Sequence, residues 1–493
     1  MQQTPTSRFF KTLASHTIVF GLSTLVRPLS QLLLVRLHTN THFISVDEYA
    51  GWSLLQVALN IGIVILNLGI ATAFFRHYLL ASTDDERDAI VGNSFKLTMF
   101  AAVFGAGILF LTGGLWSKVL LANSGFTVPA RDIAIAIFGN TLSIIPLAFL
   151  RAEGRWKMFL AFNLMRFFSI IGLNVWFLID LDLGLRGITL ALAVTNIATA
   201  LMIIPVIKGR IKKSTFMSGW KTLLRYGVPL IAIDITLFVL NGIPQIMLRW
   251  LHGSEEVALF GFGMKISFIA QFGIMMPFTI AFAPQLFRAK KEEIDPRPLY
   301  ARTMGYIWTI AAAIALYVTL FSPELALLLG KNKFYHQAIP IVAWLALSVT
   351  FYGVFIVFSS GASLKDKTWV FPIILLVSSL LEFGCGWYWI RDYGIYGAAW
   401  AVLAGFISLA VFTYIVNQRI YPIAFPWLRV IKVGIVTLLI LAAIKTTDLN
   451  DYFLIRLALA ASFPVLLLLI GFFDEGECAA IKRWMGRITA KKQ

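Results

Sequence analysis

Charged residues are scarce in this sequence. Only 14% of its 493 residues are Asp, Glu, Lys or Arg, whereas soluble domains contain about 25%. Apolar residues make up 59% and the mean hydropathy is +0.80. Apolar stretches of about 20 residues, the length that spans a bilayer, recur along the chain. This composition excludes a soluble domain with a single anchor, and it predicts an all-α, polytopic membrane protein.

Cysteine is scarce too, and the common catalytic motifs are absent. Cys385 and Cys478 are too few and too isolated for a disulfide framework or a zinc site, so we expect both to be reduced. The sequence contains neither G-x-x-x-x-G-K-[ST] nor H-E-x-x-H, and its six histidines are scattered. We therefore expect no enzymatic activity, no cofactor and no bound metal.

Fourteen apolar stretches are long enough to cross a membrane, and the loops between them are short. The predicted spans are residues 14–37, 48–75, 92–114, 130–150, 158–180, 185–207, 225–250, 256–286, 300–322, 336–360, 370–390, 394–418, 428–446 and 452–473. An even number places both termini on the same side. The first stretch is too long for the core of a signal peptide and lacks a small-residue cleavage site, so we expect an uncleaved first helix.

The basic residues are distributed unequally between the two sets of loops. One set, which includes both termini, holds 28 of the 42 Lys and Arg residues, and the other set holds 10. Cytoplasmic loops of membrane proteins carry such an excess. This bias predicts cytoplasmic termini, and it explains most of the net charge of +17 without a nucleic-acid partner.

The chain repeats itself at an interval of about 210 residues. The matching positions, at offsets of 210, 214, 212 and 210, are Lys11-Thr12-Leu13 with Lys221-Thr222-Leu223, Gln31 and His38 with Gln245 and His252, Phe75-Arg76 with Phe287-Arg288, and Gly184-x-x-Gly187 with Gly394-x-x-Gly397. Six spans per repeat give both halves the same orientation. We predict two six-helix lobes, residues 1–207 and 208–418, with two further helices and a basic tail in 419–493. Substrates of such transporters bind between the lobes.

The first predicted span carries a charge near its middle, at Arg27 beside Pro28. Ser23, Ser30 and Gln31 share its helical face. A charge at that depth costs roughly 2.5–3.5 kcal/mol on insertion scales, and it normally faces a bundle interior or a wet cavity. Two interpretations are open: Arg27 bonds backbone carbonyls at a kink, or it forms a cationic spot in a transport pathway.

Two further bases lie within predicted spans. Lys265 in span 8 lies at a depth that matches Arg27 in span 1, so both could bind one anion between the lobes. Arg166 in span 5 either joins them or pairs with an acid. Two acids, Asp234 and Glu382, either neutralise buried bases or bind the ion that drives transport.

Uncharged polar residues form stripes along several spans. These residues include Gln31 in span 1, Gln56, Asn60 and Asn67 in span 2, Asn163 and Asn174 in span 5, and Asn241 in span 7. Such stripes bind substrate or hold neighbouring helices together through hydrogen bonds. We select Gln31, Asn60 and Asn241, with the three bases, as candidate substrate-binding residues.

A set of short motifs runs through the chain in a fixed order. The motifs are Asp47-Glu48-Tyr49-Ala50-Gly51, Leu224-Arg225-Tyr226-Gly227-Val228-Pro229, Gln245-x-x-Leu248, Glu255-Glu256-Val257-x-x-Phe260-Gly261 and Ala283-Pro284-x-x-Phe287. Together they resemble the bacterial polysaccharide transport family, the O-antigen and exopolysaccharide flippases of the multidrug/oligosaccharidyl-lipid/polysaccharide exporter superfamily. Val257 and Phe260 depart from the Gly and Tyr that this family favours.

The resemblance implies a V-shaped pair of six-helix bundles in the bacterial inner membrane. Such a protein moves undecaprenyl-pyrophosphate-linked oligosaccharide to the outer leaflet by alternating access, and Arg27 and Lys265 match basic cavity residues of related flippases by position. The implied partners are this polyprenyl-linked oligosaccharide, membrane lipids, H⁺ or Na⁺ as coupling ion, and other polysaccharide assembly proteins. We expect a monomer that binds no nucleic acid.

Three other functions are alternatives to a polysaccharide flippase. An ion-coupled multidrug exporter of the same superfamily needs acids and aromatic residues around a cationic drug, whereas the buried charges here are mainly basic. A polysaccharide polymerase or ligase needs a large outer loop, which the sequence lacks. A non-transporting scaffold or a scramblase would differ from a transporter in tolerating a cross-link between the lobes.

Overall fold

The computed structural model describes residues 29–121, 124–211, 220–228, 231–270, 297–365, 367, 369–446 and 453–472. These residues are mainly helical and contain no β-strand, which confirms the all-α prediction. Eight helical segments among them are long and apolar enough to span a membrane. The chain is therefore a multi-pass membrane protein, and the number of fourteen spans stays a prediction.

The first half begins with the described part of α1. Its helices are α1 (29–38), α2 (Val46–Asn67), α3 (Ile70–Leu80), α4 (Asp84–Ala101), α5 (Gly107–Leu111), α6 (Gly113–Leu121), α7 (Thr127–Ala152), α8 (Trp156–Val175), α9 (Gly184–Ile203) and α10 (Lys208–Ile211). Predicted span 2 is divided into α2 and α3. The division falls at Leu68 and Gly69, which both have positive φ angles, and L-residues seldom adopt that conformation within a helix.

The second half continues through the helices α11 (Trp220–Gly227), α12 (Ile231–Leu251), α13 (254–270), α14 (Arg297–Leu320), α15 (Ser322–Leu329), α16 (Ile339–Phe358), α17 (Ser360–Leu364) and α18 (Val370–Ile420). Within α18 the helix bends at Gly394, which has a φ of 53° and a ψ of −126°. Predicted spans 11 and 12 thus join directly, without a loop between them.

A glutamate at the start of α2 fixes the start of α9. Glu48 completes a capping box with Ser45, since its carboxylate accepts the Ser45 backbone N–H at 2.9 Å. Its other oxygen, Oε1, accepts the backbone N–H of Leu185 at 3.0 Å. Gly184 precedes this contact with a φ of 53°, and a Cβ there would lie 2.4 Å from Glu48 Oε1. Only glycine fits this junction without strain.

The second half contains the same junction. Glu256 Oε2 accepts the backbone N–H of Ile395 at 2.6 Å, directly after Gly394, whose φ is also 53°. Glu256 lies 208 residues after Glu48, and Gly394 lies 210 residues after Gly184. The sequence repeat is therefore accompanied by a repeated packing contact, which supports the prediction of two equivalent lobes.

The two halves meet along α2, α12 and α13. Ser53 Oγ on α2 donates to Gln245 Oε1 at 2.7 Å, and a Cβ on Gly261 of α13 would lie 2.3 Å from Ser53 Oγ. Ser53 and Gly261 are 208 residues apart, which is the same separation as between Glu48 and Glu256. Residues related by a two-fold axis touch each other only near that axis. The pseudo-symmetry axis of the repeat therefore passes between α2 and α13.

Two final helices, α19 (Trp427–Thr446) and α20 (Phe453–Leu469), pack against α14. Their contact is mainly apolar and includes Leu316 with Val433 and Phe463. It also contains an ion pair between the buried Arg456 and the partly exposed Glu324 on α15, in which Arg456 Nη2 lies 2.5 Å from Glu324 Oε1. Helices α19 and α20 are thus attached to the second half by apolar packing and by this ion pair.

Candidate functional site

A cavity lies where the first half meets α13. Helices α1, α2, α8 and α9 supply most of its wall, and α13 supplies Lys265. It contains about 880 Å³ of empty space, part of it open to the exterior. Its polar lining residues are Ser30, Gln31, His38, Gln56, Asn163, Arg166, Asn174, Thr195, Asn196 and Lys265. The polar stripes of spans 1, 2 and 5 thus contribute residues to one cavity.

Lys265 reaches the cavity wall from the second half. Its Nζ donates to Gln56 Oε1 on α2 at 2.5 Å. Gln56 is buried, with 8% of its surface exposed. Since α13 crosses α2 close to the pseudo-symmetry axis, this hydrogen bond joins the two halves at the cavity.

Arg166 lies on α8, on the first-half side of the cavity. Its Nη2 donates to Asn196 Oδ1 on α9 at 2.9 Å. The Asn196 amide has a fixed orientation because its Nδ2 donates to the Ala136 carbonyl at 3.0 Å. Asn196 therefore presents an acceptor, and not a donor, to the guanidinium group.

His38 makes a similar contact at the end of α1. Its Nε2 lies 2.9 Å from Asn174 Oδ1. Asn174 Nδ2 donates to the Ile170 carbonyl at 2.7 Å, so Asn174 Oδ1 acts as the acceptor. Nε2 of His38 therefore carries a proton and donates it to Asn174.

The three contacts share one chemical feature. Each basic side chain donates to a neutral carboxamide oxygen, and among the described residues that line the cavity none is Asp or Glu. A carboxamide orients a cation without adding a negative charge, whereas a carboxylate would cancel the charge. The described wall is thus suited to an anionic group with several oxygen acceptors.

A buried acid lies elsewhere, in the second half. Glu382 on α18 has 0% of its surface exposed, and within the described part of the chain neither carboxylate oxygen has a hydrogen-bond partner. A Cβ on Gly405 would lie 2.9 Å from its carboxyl carbon. The glycine therefore leaves the space that the carboxyl group occupies.

A family of known sequences matches this chain. The family described as "Polysaccharide biosynthesis protein" matches residues 41–334, which is more than half of the chain. The chain belongs to this family. No curated protein matches it in sequence.

Several solved structures of membrane transporters share this fold. The lipid II flippase MurJ, in an inward closed conformation, aligns with a TM-score of 0.68 at 14% identity over 92% of this chain and 98% of its own. An inward-facing multidrug resistance MATE transporter aligns with 0.66 at 16% identity over 80% and 94%. A Pyrococcus furiosus transporter aligns with 0.63 at 17% identity over 83% and 95%. At these identities the likeness establishes the fold alone. With the family match, it confirms the predicted resemblance to polysaccharide transporters of this superfamily.

The predicted site residues fall into three groups: those that line the cavity, those that lie elsewhere in the described structure, and those outside the described residues. Gln31, Arg166 and Lys265 line the cavity together. Asn60 and Asn241 lie on α2 and α12 but are not part of its lining. Arg27 and the side chain of Asp234 lie outside the described residues, and Glu382 lies outside the cavity lining.

Sequence reasoning missed two cavity residues with direct roles. His38 entered only as part of the repeat, and Asn196 was not assigned to any of the predicted polar stripes. The partners of both lie on other helices, 136 residues away for His38 and 30 for Asn196. A polar stripe is recognised from residues on one helix. It could not reveal either contact, because the two partners of each contact lie on different helices.

Proposed function

We propose that this protein is a flippase for polyprenyl-pyrophosphate-linked oligosaccharide. It moves this lipid from the inner to the outer leaflet of the bacterial inner membrane by alternating access, and both termini lie in the cytoplasm. The observation that carries the proposal is the cavity in which Lys265 and Arg166 are held by the carboxamides of Gln56 and Asn196.

The pyrophosphate would bind at these two bases. Arg166 offers a planar fork that can bond two phosphate oxygens at once, and Lys265 offers a compact charge. An anion that leaves water must be compensated by nearby opposite charge. Arg27 is proposed as a third base of the same site, as its position in the first span predicts.

The remaining parts of the lipid would contact different surfaces. Gln31, His38 and Asn174 provide donors and acceptors for sugar hydroxyls, and Trp52 and Phe167 provide apolar faces in the same cavity. Scattered hydrogen bonds of this kind suit a hydrated glycan that must be released after each cycle. The polyprenyl tail would remain in the bilayer.

The energy for transport would come from an ion gradient or the membrane potential. The potential contributes about 2.3 kcal/mol per charge per 100 mV, and an inside-negative membrane favours outward movement of an anion. We propose Glu382, with Asp234 as its candidate partner, as the site that binds H⁺ or Na⁺. Rocking of residues 1–207 against 208–418 would then expose the cavity to each side in turn.

An ion-coupled multidrug exporter is the alternative, since MATE transporters share the fold. Two bases in the cavity lining would repel the cationic compounds that acids attract. The Pyrococcus furiosus transporter is described as having a binding pocket of reverse polarity that suggests a different function. Pocket charge is therefore the property that we use to choose between the two functions.

Proteoliposomes provide the test. Vesicles would contain purified protein and undecaprenyl-pyrophosphate-linked oligosaccharide, and the fraction that crosses to the other leaflet would be measured with an added glycosidase. Lys265→Gln and Arg166→Gln should each lower the flipping rate by about tenfold or more, as expected for the loss of a charged hydrogen bond in a partly buried site. Lys157→Gln removes an exposed lysine outside the cavity and is the matched control.

Two outcomes would contradict the proposal. One is wild-type flipping by folded Lys265→Gln and Arg166→Gln proteins. The other is a wild-type protein that transports a cationic dye but does not flip the lipid-linked oligosaccharide, which would favour the multidrug exporter.

A further inference from the structure

Two arginines at neighbouring positions of the repeat connect the halves at the predicted outer end. Arg36, in the last turn of α1, belongs to the first half. Its Nη1 donates to the backbone carbonyls of Leu327 at 3.2 Å and Leu328 at 2.8 Å. Both carbonyls belong to the last turn of α15, in the second half.

The reciprocal contact is made by Arg249, in the last turn of α12. Its Nε donates to the Leu121 carbonyl, the last residue of α6 in the first half, at 2.6 Å. Its neighbour Trp250 donates from Nε1 to the Val119 carbonyl at 3.0 Å. Arg249 follows Arg36 by 213 residues, and Leu328 follows Leu121 by 207. Each half therefore donates from the end of one helix to the carbonyl end of a short helix in the other half.

The chemistry of the contact is that of a helix C-terminus. The last four carbonyls of a helix have no partner within the helix, and together they carry partial negative charge. An arginine from the other half satisfies these carbonyls in both α6 and α15. Each half thus caps a short helix of the other half.

From these contacts we infer that Arg36 and Arg249 form a two-point clasp, which holds the predicted outer end closed and must open before the cavity can face outward. The contact is suited to reversal. Arg36 is exposed, so water can solvate its guanidinium group and the released carbonyls when the halves separate. Thr41 Oγ1 also accepts a hydrogen bond from Asn332 Nδ2 at 3.0 Å across the same seam.

The two points of the clasp differ in strength. Arg249 Nη1 lies 3.0 Å from Asp47 Oδ1 of the first half, in addition to the carbonyl contact through Nε. Arg36 has neutral carbonyl acceptors. Charged hydrogen bonds to a carboxylate are stronger than those to a carbonyl. Loss of Arg249 should therefore open the outer end more than loss of Arg36.

Thiol labelling tests the clasp without any substrate. In a background with Cys385→Ser and Cys478→Ser, Leu34→Cys places a reporter in the cavity wall, two residues before Arg36 on α1. A membrane-impermeant maleimide would be added from outside to right-side-out vesicles. Arg36→Ala with Arg249→Ala should raise the labelling rate about tenfold, and Arg249→Ala alone should exceed Arg36→Ala alone. Arg225→Ala removes an exposed arginine of α11 and should leave labelling unchanged.

Unchanged labelling in double-variant protein that elutes as a single folded species would overturn the clasp. If the double variant does not fold, the two single variants decide the question by the same measurement. A second experiment keeps both arginines: Thr41→Cys with Asn332→Cys would be joined by a short, reducible thiol cross-linker. Cross-linked protein should lose flipping of the lipid-linked oligosaccharide, and a reductant should restore it. Full flipping by cross-linked protein would contradict the clasp. An absence of flipping by protein that is not cross-linked would contradict only the proposed function, because the labelling experiment needs no substrate and still tests the clasp.

Discussion

Lys265 and Gln56 bond each other across the pseudo-symmetry axis, with Nζ and Oε1 2.5 Å apart, and they are separated by 209 residues in a chain that repeats at about 210. They therefore occupy nearly equivalent positions of the two halves. One position carries an ammonium group and the other a carboxamide. The two residues lie close together because nearly equivalent positions of the repeat meet at the axis. The site is positively charged because one of these positions holds a lysine and the other a glutamine.

Gln56→Glu should remove that charge while keeping the shape of the site. The new carboxylate would lie within ion-pair distance of Lys265 Nζ, where a partly buried pair is screened less than one in water. We expect the flipping rate in proteoliposomes to fall by about tenfold or more, with the heating midpoint unchanged or higher. An unchanged flipping rate would show that the charge of Lys265 is not used.

Asn196→Asp should act in the same way at Arg166. The substitution keeps the acceptor that Arg166 uses but replaces the Nδ2 donor to Ala136 with an oxygen. We expect a flipping defect as large as that of Arg166→Gln. We also expect a loss of stability of roughly 1–3 kcal/mol, because the bond from Nδ2 is lost and a carboxylate oxygen would face the Ala136 carbonyl oxygen. The double variant Arg166→Gln with Asn196→Asp separates the effect on flipping from the effect on stability. Its flipping defect should be no larger than that of Arg166→Gln alone, whereas its loss of stability should remain.

Gly184→Ala and Gly394→Ala should both destabilise the protein. Each glycine has a φ of 53°, which costs other L-residues about 1–2 kcal/mol, and a Cβ would collide with Glu48 or Glu256. Scanning fluorimetry in detergent should give lower heating midpoints for both. Gly107→Ala is the control, because its Cβ would meet nothing within 4 Å. Equal midpoints for all three variants would contradict the strained junctions.

Arg456→Met should weaken the attachment of α19 and α20. The buried guanidinium bonds Glu324 and the Leu320 carbonyl, and removal of one partner of a buried ion pair typically costs 3–5 kcal/mol. Glu324 is partly exposed, so we expect about 2 kcal/mol or less. Arg456→Met with Glu324→Gln should recover part of this loss. Urea unfolding in detergent measures both variants.

Glu382→Gln tests ion coupling. A neutral amide fits the space beside Gly405, so the protein should fold. If Glu382 binds the coupling ion, an imposed H⁺ or Na⁺ gradient should no longer accelerate flipping, while flipping driven by the membrane potential alone should remain. If a gradient accelerates flipping by the Glu382→Gln variant as much as by the wild-type protein, Glu382 is a structural residue.

The short repeated motifs in the sequence predicted the internal repeat. They therefore also predicted which residues of the two halves occupy equivalent positions. Gly184 and Gly394 were predicted to open equivalent spans, and both begin equivalent helical segments. The partners Glu48 and Glu256 were not predicted. Their contacts to Leu185 and Ile395 depend on how distant helices pack, and no spacing along one helix encodes that.

The polar stripes predicted the site in part. Gln56 and Leu59 line the cavity whereas Asn60 does not, although Gln56 and Asn60 are one turn apart. Adjacent positions on a helix differ by about 100°, so a cavity that ends near Leu59 excludes Asn60. A stripe therefore identifies the helical face but not how far along it the cavity extends.

The eight residues of α15 are anchored near both ends by arginines from different parts of the chain. Glu324, in the first turn, holds Arg456 of α20, and the carbonyls of the last turn hold Arg36 of α1. This short helix consequently links the appended helices to the first half. A displacement of α19 and α20 would therefore reach the end of α1 through α15, unless one of the two arginine contacts broke first.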